Sequence, residues 1–218
     1  MSPTQAERSA ATQTALVGAA RRLWGERGYA AVSTPEIAKA AGVTRGAMYH
    51  QYADKTQLFL AVVEAVERDV IERLGETVAG AAPRTPAAAL RIASNAWLEI
   101  ASEPEVRQLI LLDAPSVLGW AGFREISLRY GLGMTEQLLG AAIEAGELAP
   151  QPVRPLATVM LGALDEAAMS IANAEDPERE KDEVGTVVGN LIDGLLVSGS
   201  KARGSRTKRP AKASFQKR

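Results

Sequence analysis

Apolar positions recur along this chain at intervals of three and four, the spacing of one face of a helix. Leu16, Val17, Ala20, Leu23 and Trp24 form one stripe; Leu58, Phe59, Val62, Val63, Val66, Val70 and Leu74 form a longer one. The first helix stops at Gly28. "STPEIAKAAG" predicts a short helix with Ser33 as N-cap and Glu36 completing a capping box. Pro35 is tolerated in its first turn, and Gly42 ends it in the left-handed conformation. The long stripe opens on Asp54 as cap, with Gln57 reaching back. It predicts a helix over about 55–78, roughly 36 Å long at 1.5 Å per residue.

Beyond the loop "GAAPRTP" (80–86), the spacing predicts helices near 87–102, 104–112, 119–145, 153–174 and 178–198. Pro83, Pro86, Pro104, Pro115, Pro150, Pro152 and Pro177 fall at or near the joints. No run alternates cleanly between hairpin turns, so no strand is expected. The predicted fold class is all-α, with about nine helices: a three-helix unit at the front and a larger helical body behind it.

Charge divides the chain further. Residues 1–56 carry a net +3, residues 57–200 a net −12, and the tail 201–218 eight basic groups and no acidic one. A basic front, an acidic body and a basic tail point to a polyanion partner at one end. The tail "GSKARGSRTKRPAKASFQKR" lacks periodicity and is expected to be disordered. No run of about eighteen apolar residues suggests a membrane span, and the polar start lacks a signal-peptide core. With no cysteine, neither a disulfide framework nor a thiolate metal site is expected. The expected location is the cytoplasm, with no cofactor and no metal.

The stretch "AAGVTRGAMYHQY" (40–52) holds the chain's one histidine. Two short helices joined by a glycine turn make a helix-turn-helix. Ile37, Ala38, Ala41, Val43, Met48 and Tyr52 can share one small core, which leaves Gly46, Ala47 and His50 on the opposite side and Tyr49 at the flank. Gly46 lets a backbone approach, Ala47 offers a methyl to thymine, and Arg45 can reach guanine or a phosphate. Tyr49 and His50 can bond phosphates or base edges. Lys55, with the free amides of the next helix's first turn, suits a phosphate.

The order "ERGY", "STPEIAKAAGV", "TRGAMYHQYADKTQLF" and a long helix resembles the N-terminal DNA-binding domain of the TetR family of one-component regulators, over about residues 12–60. The resemblance implies that Ser33, Thr34, Thr44, Arg45, Gly46, Ala47, Tyr49, His50 and Lys55 face double-stranded operator DNA, and that Tyr52 packs the three-helix unit. Pro35 departs from the family, many of whose members carry a basic residue there; one phosphate contact is then missing. "DAPSVLGWAGFREISLRYGLGMTEQLLGAAIEAGEL" and "PVRPLATVMLGALDEAAMSIANAED" are similar to a C-terminal effector domain of one TetR branch, which implies a ligand cavity and a dimer face.

The expected division is residues 1–54 for DNA, 55–200 for effector binding and dimerisation, and 201–218 as tail. Candidate ligand contacts are Trp97, Leu109, Asp113, Trp120, Phe123, Tyr130, Met134, Met160, Asp165 and Met169. Of Asp165 and Glu166, one is expected to face solvent and the other to meet the ligand or Arg124, and Gly131 and Gly133 are expected to make room within their helix. The last helix offers a broad apolar face of Val184, Val187, Val188, Leu191, Leu195 and Leu196 to a second copy, with Gly185 and Gly189 allowing close approach. The expected function is a repressor released from its operator by a small-molecule effector and acting as a homodimer. The competing reading is a helical-bundle enzyme or small-molecule carrier with a vestigial DNA-binding module. Core packing explains most of the aromatic and apolar candidates equally well.

Overall fold

Thr4 and Glu7 exchange side-chain and backbone hydrogen bonds in a capping box that starts α1 (Gln5–Arg27), and Gly28, at φ 78°, ends it. The computed structural model describes residues 4–197; the basic tail at 201–218 lies outside the described residues. Two short helices follow, α2 (Thr34–Ala40) and α3 (Arg45–Gln51), joined through Gly42 at φ 67°. The capping box expected at Ser33 does not form: its hydroxyl bonds no helix amide, and Glu36 pairs with Arg27 instead. Pro35 removes one amide that a cap would serve, and a guanidinium is the stronger partner for a carboxylate.

Asp54 accepts the Gln57 amide at 2.8 Å and opens α4 (Lys55–Ala81). This helix runs three residues past its predicted end to Ala81, and its C-cap Ala82 is left-handed at φ 45°. Its 27 residues make a rod about 40 Å long. Then come α5 (Pro86–Ser102), α6 (Pro104–Val106), a π-helical segment (Arg107–Asp113), α7 (Ala114–Glu144), α8 (Val153–Asn173) and α9 (Pro177–Leu195).

The predicted break between 112 and 119 is displaced. Helix runs through Pro115, and the chain breaks at Gly119, whose φ of 73° only a residue without Cβ adopts easily. Proline normally orphans the carbonyl four residues back. Here the wider π turn comes just before it, and the Ala114 amide donates to Leu109 O, five residues back.

Trp24, Tyr29 and Phe59 stack against one another with ring centroids 4.9–5.4 Å apart, tying α1 to α4 at the front of the molecule. Behind them the apolar core continues without a gap through α5, α7 and α8 to Ile192 of α9. An isolated β-bridge between Leu148 and Leu196 fastens the end of α9 to the turn before α8. By length and composition α8 could cross a membrane, yet it packs between α5, α7 and α9 and carries a buried Asp165.

Candidate nucleic-acid interface and ligand cavity

The front unit is built so that α3 turns one face out. Ile37, Ala38 and Met48 are buried, with Val43 and Tyr52 packed against them, and Thr44 caps α3 by accepting the Ala47 amide at 3.1 Å. Ser33, Thr44, Arg45, Gly46, Tyr49 and His50 stand exposed, while Thr34 and Ala47 are half-buried beside them. Arg45 lies 5.5 Å from the centre of the Tyr49 ring, and the Tyr49 hydroxyl is 3.1 Å from Thr34 Oγ1. These contacts join α2 to α3 and fix where both donors project. The Thr34 hydrogen bond, with Arg45, also lowers the Tyr49 phenol below its ordinary value. Gly46 is informative by what it lacks. A Cβ there would meet only Thr44 Oγ1 at 3.9 Å, so nothing inside the protein requires the glycine. An exposed helical glycine costs up to about 1 kcal/mol relative to alanine.

Lys55 is tied to the front unit. Its Nζ donates to Tyr29 O at 2.6 Å and lies 3.9 Å from the centre of that ring, at the joint between α1 and α4, while the side chain stays partly exposed. Burial lowers its pKa, against the attraction of Asp113. Asp113, expected in the ligand site, also belongs to this joint, where its Oδ2 accepts the Tyr29 amide at 2.8 Å. Beside it Arg21 of α1 bonds Glu105 through two nitrogens, at 2.9 and 2.8 Å, and pairs with Asp69 of α4. The front unit is thus bolted to α4, α6 and the π-helical segment.

A narrow cavity of about 60 Å³ opens between α4, α5, α7 and α8, smaller than most small-molecule sites, so a ligand entering it must widen it. Four of the expected contacts line it: Trp97, Phe123, Met134 and Asp165. The other six do not. Leu109 and Met160 are spent on the core, Met169 packs half-buried against it, and Trp120 is 59% exposed just after the Gly119 break. Tyr130 accepts from Arg68 at 3.3 Å, and Asp113 is the joint residue described above. Gly131 faces the cavity, whereas Gly133 is exposed with nothing within 4 Å of a Cβ.

Asp165 Oδ2 accepts from Arg124 at 2.9 Å and from Ser127 at 2.6 Å. Burial pushes its carboxyl up to about 6, with Ser127 and Arg124 opposing. Glu67 was missed. Its side chain lines the cavity from α4 while the residue is only 7% exposed, and burial, with Asp165 nearby, raises its pKa to about 7. Its place between Val63, Val66, Val70 and Leu74, at intervals of four, one, three and seven, already put a carboxylate in the apolar stripe.

The broad face expected on the last helix is divided between the protomer's own core and solvent. Val188 is buried, and Val184 and Leu195 pack half-buried against their own protomer's core. A Cβ on Gly189 would meet Arg91 of α5 at 3.2 Å, so that glycine too faces inward. Leu191 remains outside, 52% exposed, joined by Val187 one turn earlier and by Val159 on α8.

The description "Bacterial regulatory proteins, tetR family" matches residues 16–62, and "Tetracyclin repressor-like, C-terminal domain" matches residues 87–195. A solved TetR-family transcriptional regulator from Pectobacterium atrosepticum is similar at a TM-score of 0.80 and 33% identity, over 90% of this chain and 99% of that one. The HTH-type transcriptional regulator CymR of Pseudomonas putida is 42% identical over 76 residues, 34% of this chain and 37% of CymR. In that match the chain spans little more than a third of its relative. The Transposon Tn10 TetC protein of Escherichia coli is 28% identical over 145 residues, 66% of this chain and 72% of TetC. With one family description on the helix-turn-helix and another on half the chain behind it, this protein belongs to the TetR family of DNA-binding transcriptional regulators, non-enzymatic proteins that are typically effector-responsive repressors.

Proposed function

We infer that this chain is a cytoplasmic repressor that grips operator DNA through α3 and releases it when a small molecule fills the cavity behind α4. One observation carries the reading: the same elements hold both sites. Helix α4 supplies Leu58 and Phe59 to the front core and Glu67, Val70, Ile71 and Leu74 to the cavity wall. The π-helical segment likewise supplies Ile110 to the cavity and Asp113 to the Tyr29 amide. Arg45, Tyr49 and the backbone at Gly46 read the operator, with Ser33, Thr34, Thr44, Ala47 and His50 around them. Lys55 fixes the joint through Tyr29 O and keeps donors free for a phosphate.

A homodimer completes the site, because this motif reads two half-sites about 34–36 Å apart. Val159, Val187 and Leu191 are the large apolar side chains available on α8 and α9 for that contact. Selection of the full chain against random duplex DNA should enrich two related half-sites at this spacing. Arg45→Ala should relax base preference, by about 1–3 kcal/mol at the affected position. Leu191→Glu should give monomers by light scattering and weaken operator binding. Absence of any enriched sequence would remove the operator reading, and a Leu191→Glu variant that stays dimeric would move the interface elsewhere.

A further inference from the structure

The geometry points to a ligand of one chemical class for this cavity: a lipophilic, singly charged ammonium whose N–H donates to Glu67. This rests on the effector reading above and sharpens it. The walls are apolar and aromatic, with Trp97, Phe123 and Met134 available for a ring system. Trp97 is already fixed, since its indole N–H donates to Leu164 O at 3.1 Å.

Two carboxyls reach this cavity, and they are not alike. Asp165 is matched by Arg124 and Ser127, both bonding its Oδ2. No described residue bonds the Glu67 carboxyl, although Glu67 is only 7% exposed. A buried carboxyl without a partner is costly, and native proteins seldom leave one unless something else supplies the bond. Against two acids the cavity region offers one guanidinium, so a ligand bringing one positive charge balances it. An anionic ligand would place a third negative charge in a space of low polarity. The empty protein bears the cost of the lone acid by raising its pKa, and a bound ammonium removes that cost.

Three probes that share a ring and differ in head group test this on the full chain: naphthylmethylamine, naphthylmethanol and naphthoate. Calorimetry at about pH 8 keeps the amine charged and ionises Glu67. The amine should bind about tenfold or more tighter than the alcohol, as expected of a charge-assisted hydrogen bond, and naphthoate should not bind detectably. Glu67→Gln should abolish the amine's advantage and leave the alcohol's affinity within about threefold. If the alcohol or naphthoate binds as tightly as the amine, the ligand class is wrong while the cavity remains a ligand site. An amine preference that survives Glu67→Gln also overturns the assignment. If none of the three binds, the class and the ligand-cavity reading fall together.

Discussion

At the scale of single residues, two positions in this chain disregard local stability. Gly46 is exposed within a helix, and a methyl group there would touch nothing closer than 3.9 Å. Gly46→Ala should therefore stabilise the fold by about 0.5–1 kcal/mol in urea denaturation while weakening DNA binding. Stabilisation with unchanged DNA affinity would remove the argument that a nucleic-acid backbone approaches here. Glu67 is the second. Its carboxyl titrates at about 7 in the folded chain against an ordinary 4.5, because burial disfavours the charged form. Between those values the folded state holds the proton more tightly than the unfolded state. Stability from this group is therefore lost as pH rises from about 4.5 to 7, and the loss levels off above that. At roughly 1.4 kcal/mol per unit the full effect is on the order of 3 kcal/mol. Asp165 contributes with the same sign, so the difference between wild type and Glu67→Gln isolates the Glu67 share. The variant should show a flatter stability profile over that window and greater stability at about pH 8. Parallel profiles would mean that Glu67 finds a partner or water that keeps it charged.

At the scale of elements, α7 shows how far periodicity reads a sequence and where it stops. Gly131 and Gly133 look equivalent in "RYGLGM", since both lower helix propensity within the same turn. The fold separates them. A Cβ on Gly131 would lie 2.9 Å from Leu161 Cδ1, while one on Gly133 meets nothing within 4 Å. Gly133→Ala should gain up to about 1 kcal/mol from helix propensity, and Gly131→Ala should gain less, because Leu161 must give way. Equal gains in chemical denaturation would mean that Leu161 moves freely into the cavity. Stripes and caps made the order of α1 to α4 legible, and the helix-turn-helix with its outward Arg45, Gly46 and Tyr49. They could not make legible which side of a helix finds a partner within the same chain. Val184, Val188 and Leu195 read as a dimer face from spacing alone, yet the α9 stripe they form lies on its own protomer's core. Asp113 reads as a ligand contact, and the joint role of Lys55 stays hidden, because their partners, the Tyr29 amide and carbonyl, lie 84 and 26 residues away in sequence. Trp97, Phe123, Met134 and Asp165 are legible as candidates because large or charged groups at apolar positions are rare, and Glu67 meets the same criterion within a strong apolar run.

At the scale of the whole molecule, the question is how a cavity governs a surface at the other end of α4. The part of that rod between the cavity residues, Glu67 to Leu74, and its start at Lys55 is roughly 18–28 Å long, so a tilt of about 5° at the cavity shifts that start by roughly 2 Å. Two half-sites at fixed spacing on a duplex do not tolerate such a shift. The π-helical segment offers a second connection, from Ile110 in the cavity to Asp113 on the Tyr29 amide. Rigid bonding of the front unit by Arg21 to Glu105 and Asp69 would carry either motion to α3 rather than absorb it. Thermodynamics fixes what such a device must do: a ligand shifts the protein away from the DNA-competent arrangement only as far as it binds that arrangement more weakly. Linkage then requires saturating operator to weaken ligand binding by the same factor as saturating ligand weakens operator binding. With the naphthyl probe that binds most tightly, both affinities should change together, by about 5–150-fold if the coupling has the usual magnitude. Asp113→Ala should reduce that factor while leaving the probe's affinity for the free protein unchanged, because Asp113 lies outside the cavity. Probe affinity that is identical with and without operator would exclude the lever, and an undiminished factor in Asp113→Ala would assign the coupling to α4 alone.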